Sequence, residues 1–174
     1  VGQDNSSMII LGIDPGYAIT GYALIKFSNQ QFKVLDYGLV RTKANSYFPE
    51  RLLLIERSLE KLIKKYKPDV MAIEELFFSR NTTTAIGTAQ ARGVAVVTGA
   101  RNNLPVFEYT PKQVKLAVTG YGNAEKIQVQ EMVKVLLNLK KAPQPDDVAD
   151  AIAVALCHAH SGNRSDALAV GGYQ

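Results

Sequence analysis

Ile9-Ile10-Leu11-Gly12-Ile13 carries no polar side chain and is stopped by Asp14 and a Pro15-Gly16 pair. So short an unbroken apolar run reads as a buried strand, because a strand with one wet face alternates polar and apolar positions. A buried strand needs cover on both faces. Sheet and helices must therefore be layered together, which places the chain among α/β architectures.

The rest of the sequence supplies the layers. Thr20 to Phe27 and Phe32 to Arg41 are β-rich runs with short polar connections, so the first three strands form a meander. Leu52, Ile55, Leu59, Leu62, Ile63 and Tyr66 recur at helical spacing, with Arg51, Lys61, Lys64 and Lys65 off that face, and Pro68 closes the helix. Val70 to Ile73 is a fourth strand, ending at Glu74. Polar residues Ser79 to Thr84 lead into an Ala/Gly-containing helix through about Ala100, and Val106 to Tyr109 is the fifth strand. Thr110-Pro111 starts a helix that Gly120 and Gly122 break. Helices from about Ala124 to Leu139 and from Asp147 to about Ala159 follow. The expected fold is α/β: a mixed five-stranded sheet, an antiparallel meander plus parallel strands joined through crossover helices, flanked by helices. Residues 8–160 are read as a single domain, Val1 to Ser7 as an appended remnant, and segment 161–174 as a flexible tail.

Composition removes several classes of function. With 47% hydrophobic and 21% charged residues, the chain is not a disordered one. Its apolar runs are too short to span a bilayer, so no membrane partner is expected. One cysteine, Cys157, excludes an internal disulfide and fits a reducing, cytoplasmic setting, where it reads as a small hydrophobe on a helix. The net charge of +4 points only weakly to a polyanionic partner. Commit four of the sixteen acids to metal, and twelve remain against twenty bases, a balance of +8.

The acids that meet this condition come from three segments. Asp14 stands at the carboxyl end of the first strand, where α/β proteins place ligands, although an Asp before Pro-Gly also caps turns. Glu74 ends a buried strand and is followed by Glu75 and then Leu76-Phe77-Phe78. Two adjacent acids in an apolar stretch are costly to bury unless something positive meets at least one. They point to opposite faces, so only one shares a site with Asp14, and periodicity does not choose between them. Asp147 and Asp150 project from one face of the last helix, whereas Asp146 reads as its N-cap. Acids in a first turn also complement the helix dipole. Asp150, however, lies among Ala149, Ala151, Ile152, Val154, Ala155 and Leu156 and needs a partner. Such a set, with no Cys/His ligand spacing, fits a hard cation, Mg²⁺ or Mn²⁺. Two ions roughly 3.5–4 Å apart can activate a water and stabilise the leaving oxygen of an in-line phosphoryl displacement. His158 and His160 are read as structural.

Seven motifs in order then resemble a known family. They are Ile13-Asp14-Pro15-Gly16 with Thr20-Gly21-Tyr22, Ala72-Ile73-Glu74, Gln90-Ala91-Arg92-Gly93-Val94-Ala95, Pro105-Val106-Phe107-Glu108-Tyr109, Gln113-Val114-Lys115, Ala124-Glu125-Lys126 and Asp147-Val148-Ala149-Asp150-Ala151. From Met8 to about His160 the chain resembles the RuvC family, bacterial Holliday-junction resolvases with an RNase H-like fold. The resemblance implies a catalytic, metal-binding quartet of Asp14, Glu74, Asp147 and Asp150, choosing Glu74 over Glu75. It implies that Lys115 and Lys126 engage the DNA backbone and that Phe77 inserts at the junction. It also implies a homodimer that makes paired nicks of like polarity across a four-way junction, with branch-migration motor proteins as further partners. Departures from the family pattern are a Glu at position 75 where many members carry Gln, and a segment Lys140 to Asp146 one residue longer than in some relatives. The second makes Asp146 a rival to Asp147, against which the i, i+3 relation to Asp150 speaks. Some members carry His at the Asp147 position.

Other readings stand beside these. Phe77 and Phe78 adjoin polar Ser79-Arg80-Asn81, so one is exposed to stack on bases or both are core. Lys115 and Lys126 flank the Gly120-Tyr121-Gly122 loop and either bracket a phosphate backbone or are simply solvated, and Arg80 is a candidate of the same kind. Ala85 to Ala100, with Gly87, Gly93 and Gly99, is read as the dimer surface, with packing inside the monomer as the alternative. The expected reaction has Asp14 bridging two Mg²⁺ ions and leaves 5′-phosphate and 3′-hydroxyl ends. Rivals are a related nuclease acting on RNA–DNA hybrid or flaps, and a non-enzymatic junction-binding module. An actin/Hsp70-like nucleotide-binding domain would need two lobes, and 174 residues supply one.

Overall fold

The computed structural model describes residues 7–76 and 82–161. Strands β1 (Met8–Asp14), β2 (Ile19–Ser28), β3 (Gln31–Arg41), β4 (Val70–Glu74) and β5 (Val106–Tyr109) form a sheet in the order β3-β2-β1-β4-β5. The first three pair antiparallel; β4 adds parallel to β1, and β5 parallel to β4. Helices α1 (Phe48–Tyr66) and α2 (Thr82–Arg101) make the two crossovers, followed by α3 (Pro111–Thr119), α4 (Lys126–Leu136) and α5 (Asp146–Ser161). This is the mixed, helix-flanked sheet that the apolar patterning anticipates.

β1 is covered on both sides, as its unbroken run requires. Ile10, Ala23, Ile25 and Ala72 enter a core shared with α3, α4 and α5. Their strand neighbours Leu11, Ile13, Leu24, Met71 and Ile73 enter a second core with α1 and α2. Of the sixteen residues of α5, eleven are buried, so this helix is apolar almost all round and must be enclosed. It lies backbone-to-backbone on the sheet. A Cβ on Gly12 would fall 2.1 Å from the Ala151 carbonyl oxygen, and one on Gly21 would fall 2.1 Å from that of Asp147. Gly21 pairs with Asp14 across β1 and β2, so the close approach seats the start of α5 beside the end of β1.

Several local expectations need correction. Arg51 is buried, on the stripe it shares with Ile55, Leu59 and Ile63, because it stands one helical turn before Ile55. α4 begins two residues later than expected, since the Glu125 amide donates to the Gln128 side chain (2.7 Å) and makes Glu125 the cap. It ends three residues earlier, where Leu137 closes it and Asn138 takes φ 49°. Asp146 is the first residue of α5 rather than its N-cap, and Ser161 is still helical. Gly87 and Gly99 serve packing within the chain, against Tyr17 and against Val106 and Met71, whereas nothing lies within 4 Å of a Cβ on Gly93. The readings of Phe77, Phe78, Arg80, Val1 to Ser6 and 162–174 fall outside the described residues.

Both histidines are structural in their contacts. His160 Nδ1 bonds the Ala117 carbonyl at 2.9 Å. His158 is 1% exposed, shares a 2.7 Å hydrogen bond with the Tyr109 hydroxyl through Nδ1, and leaves Nε2 without a partner. Burial lowers its pKa to about 4. Protonation is therefore deferred in the fold, so its stabilising effect is intact above the unfolded value of about 6.5 and is lost as pH falls toward 4. Thermal melts should show roughly 3 kcal/mol of acid destabilisation from this group over that window, which His158→Phe abolishes. Parallel Tm-versus-pH curves for the two proteins would contradict it. Cys157 is buried in the same helix, and burial pushes its thiol up to about 12, so it packs as a small hydrophobe.

Candidate active site

The carboxyl ends of the interior strands β1 and β4 and the amino end of α5 meet at one end of the sheet. Asp14 ends β1, Glu74 ends β4 and turns inward while Glu75 is exposed, and Asp147 and Asp150 come from the first turns of α5. Glu74 and Asp150 line a cleft of about 230 Å³ together with Lys115, Lys126, Pro111, Val114, Val129 and Ala153. The walls are supplied by α3 and α4. Thr110 caps α3 by accepting from the Gln113 amide at 3.1 Å, Pro111 opens it, and Gly120, at φ 78°, closes it.

Electrostatics show that these acids act on one another. Burial, then the charges of Asp150, Glu74 and Asp147, push the Asp14 carboxyl up to about 8, with Lys126 opposing. Glu74 is raised to about 7, by burial and then Asp150, against the pull of Lys126 and Lys115. Asp150 is raised as well, chiefly by burial, although a hydrogen bond from Lys126 holds it down. The Lys126 ammonium donates to Asp150 Oδ2 at 3.1 Å and pairs with Asp146 Oδ2 at 3.3 Å. Burial lowers the pKa of Lys126, but these carboxylates outweigh it and hold the ammonium above its usual value.

Among the described residues, no three acidic, His or Cys side chains are drawn together closely enough to hold an ion as they stand. The donor set nevertheless fits a hard divalent cation. It is all oxygen, it is partly desolvated, and its mutual repulsion is what a multiply charged cation relieves. Lys126 now supplies part of that relief and would contend with a metal for Asp150.

The structure thus gathers Asp14, Glu74, Asp147, Asp150, Lys115 and Lys126 at one end of the sheet. It adds residues that sequence reasoning left out or placed elsewhere. Asp146 reaches across to α4, where it accepts from Gln130 Nε2 at 2.9 Å as well as pairing with Lys126. Lys126 and Gln130 are four apart on α4, and Asp146 and Asp150 four apart on α5, a matched spacing that was available as a signal.

Residues 10–158 match the family described as crossover junction endodeoxyribonuclease RuvC. Proteins of that description from Alkaliphilus metalliredigens and Ruminiclostridium cellulolyticum are 59% and 56% identical, over 90% and 88% of this chain and 95% and 93% of their own. Among solved structures, Thermus thermophilus RuvC in complex with Holliday junction substrate superimposes with a TM-score of 0.85 at 34% identity, covering 88% of this chain and 94% of that one. The yeast mitochondrial Holliday junction resolvase Ydc2, 13% identical with a TM-score of 0.61 over 85% and 77% of the two chains, shares the RNase H-like fold. With the family model matched over residues 10–158 and relatives up to 59% identical along nearly their whole length, the chain belongs to the RuvC family of crossover junction endodeoxyribonucleases.

Proposed function

We propose that this chain resolves four-way (Holliday) DNA junctions as a cytoplasmic homodimer, hydrolysing one phosphodiester in each of two symmetry-related clefts. Asp14, Glu74, Asp147 and Asp150 are the catalytic carboxylates and would hold Mg²⁺, replaceable by Mn²⁺, as two ions in each cleft. The observation that carries the reading is the convergence of these four acids at one partly desolvated end of the sheet, where burial first and then the charges of Asp150, Glu74 and Asp147 lift Asp14 to about 8. When bound, the metal supplies an activated water and stabilises the departing 3′ oxygen, leaving 5′-phosphate and 3′-hydroxyl ends.

The chain's other residues orient the strand. Lys115 and Lys126 flank the acids from α3 and α4 and take the phosphates on either side of the scissile one. Val114, Val129 and Ala153 form an apolar wall that limits water in the cleft. Phe77 inserting at the junction and Arg80 on its backbone belong to the same proposal, on family resemblance. Ile86, Gly93 and Val97 share the exposed outer side of α2 at helical spacing and offer the dimer face, and branch-migration motors would deliver the junction.

The test is cleavage of end-labelled four-way junctions beside linear duplex and RNA–DNA hybrid, with Mg²⁺ or with chelator. Paired nicks confined to the junction and dependent on metal are expected. Cutting of the hybrid alone would replace the substrate, and tight junction binding without cutting would replace the enzyme by a binding module. Lys115→Ala and Lys126→Ala should each weaken junction binding and lower the slope of log K against log salt by roughly 0.9, one phosphate contact. A salt slope equal to that of the unaltered protein would place that lysine off the DNA path.

A further inference from the structure

Arg51 is the only lysine or arginine buried among the described residues, at 8% exposure, and no carboxylate accompanies it there. Its place is unfavourable twice over. A buried guanidinium without an acid costs desolvation, and the first turn of a helix is where the dipole opposes positive charge. An apolar side chain would continue the Ile55, Leu59, Ile63 stripe without either cost.

What the guanidinium holds is the turn that follows Asp14. Its Nε donates to the Thr42 hydroxyl at 2.8 Å and its Nη2 to the Tyr17 carbonyl at 3.4 Å. Its carbon lies 4.9 Å from the centre of the Tyr17 ring and 5.9 Å from that of Phe48. The Thr42 hydroxyl donates to the same Tyr17 carbonyl, and the Thr42 amide donates to Ala18 at 3.0 Å. On the inner side Thr20 donates to the Gly16 carbonyl at 2.7 Å. The Tyr17 ring in turn lies on Gly87 of α2, where a Cβ would come within 2.7 Å of it. Gly16, Tyr17 and Ala18 are therefore each tied, and Asp14 runs straight into them.

We propose that Arg51 is a positioning residue for Asp14: with Thr42 it fixes the turn after β1, so that the Asp14 carboxylate keeps its place among the other acids. The role is geometric, since the Arg51 charge is not among those acting on the Asp14 carboxyl. It rests on the nuclease reading above.

Arg51→Met keeps the length and the ring contacts but removes the donors, Arg51→Lys keeps the charge, and Thr42→Val removes the shared hydroxyl. Arg51→Met should cut junctions roughly 10–100-fold more slowly at saturating DNA and bind Mn²⁺ about tenfold more weakly without DNA, followed by electron paramagnetic resonance. Junction affinity in chelator should stay within about twofold, Arg51→Lys should recover part of both losses, and Thr42→Val should show smaller losses of the same kind. A folded Arg51→Met protein that cuts and binds Mn²⁺ normally overturns the inference. So does a fall in cutting matched by equal falls in junction binding and Tm, the pattern of a residue that only packs. If Arg51→Met does not fold, Thr42→Val decides by the same readouts. If the unaltered protein does not cut junctions, the nuclease reading fails, while the Mn²⁺ comparison still decides whether Arg51 places the acid cluster.

Discussion

Asp14→Asn leaves the protein folded and bound to four-way junctions but unable to cut them, with the rate down by roughly 10³-fold or more, about 4 kcal/mol of barrier. The amide has nearly the shape of the acid but lacks the charge with which Asp14 would hold a cation, so the loss falls on chemistry and not on packing. Junction affinity should hold or improve, because one negative charge leaves a cleft that receives phosphates. The same variant changes the pH dependence of stability in chelator. Asp14 is raised from 3.8 to about 8, so the fold keeps a proton that the unfolded chain has already lost. The stability that this proton contributes is complete below about pH 4 and disappears as pH rises through 8. Asp14→Asn should therefore flatten the alkaline fall in Tm and melt higher than the unaltered protein at pH 8. Unchanged cutting would remove Asp14 from the reaction, and a Tm profile as steep as before would remove the repulsion argument.

Gly21→Ala should be the most damaging single methyl in the site. Its Cβ would lie 2.1 Å from the Asp147 carbonyl oxygen and 3.2 Å from the Asp147 Cβ, so the start of α5 must move away from β2. That start carries Asp147 and Asp150, while the paired residue on β1 is Asp14 itself. The clash should cost about 1–3 kcal/mol of stability, and a shift near 1 Å should slow cutting by about 10²-fold. Two readouts check this: the denaturation midpoint and the single-turnover rate on a junction at saturating Mg²⁺. A variant destabilised but fully active would mean that the acids tolerate movement of α5; one with neither change would mean that the backbone contact is looser than it looks.

Some of this site is local and could be read along the chain. The run Ile9 to Ile13 needs no partner to declare a buried strand, and Asp14 ends it before a Pro-Gly turn. Val70 to Glu74 and Val106 to Tyr109 are strands at the bounds that patterning gives them. Asp147 and Asp150 share a helical face by spacing alone. The charged or apolar character of one residue is a weaker guide. Arginine is seldom buried, which puts Arg51 off the apolar face in a sequence reading, and the rule fails where a guanidinium has a carbonyl, a hydroxyl and two rings to meet. Asp caps helices, which makes Asp146 read as a cap, yet Gln130 and Lys126 are its partners across the α4–α5 gap.

The succession of strands and helices, the two-faced cover of β1 and the separation of acids into three segments follow from periodicity, which depends only on neighbours a few residues away. The depth of the contact between α5 and the sheet does not, since a glycine at 12 or 21 reads equally well as a loose spot or as a seat for another backbone. Choosing Glu74 over Glu75 required the family resemblance or the packing of β4, because alternation names two faces without naming the one that meets Asp14. The pKa values of Asp14 and Glu74 belong wholly to the assembled protein: desolvation and like charge act through space, between residues sixty and more positions apart.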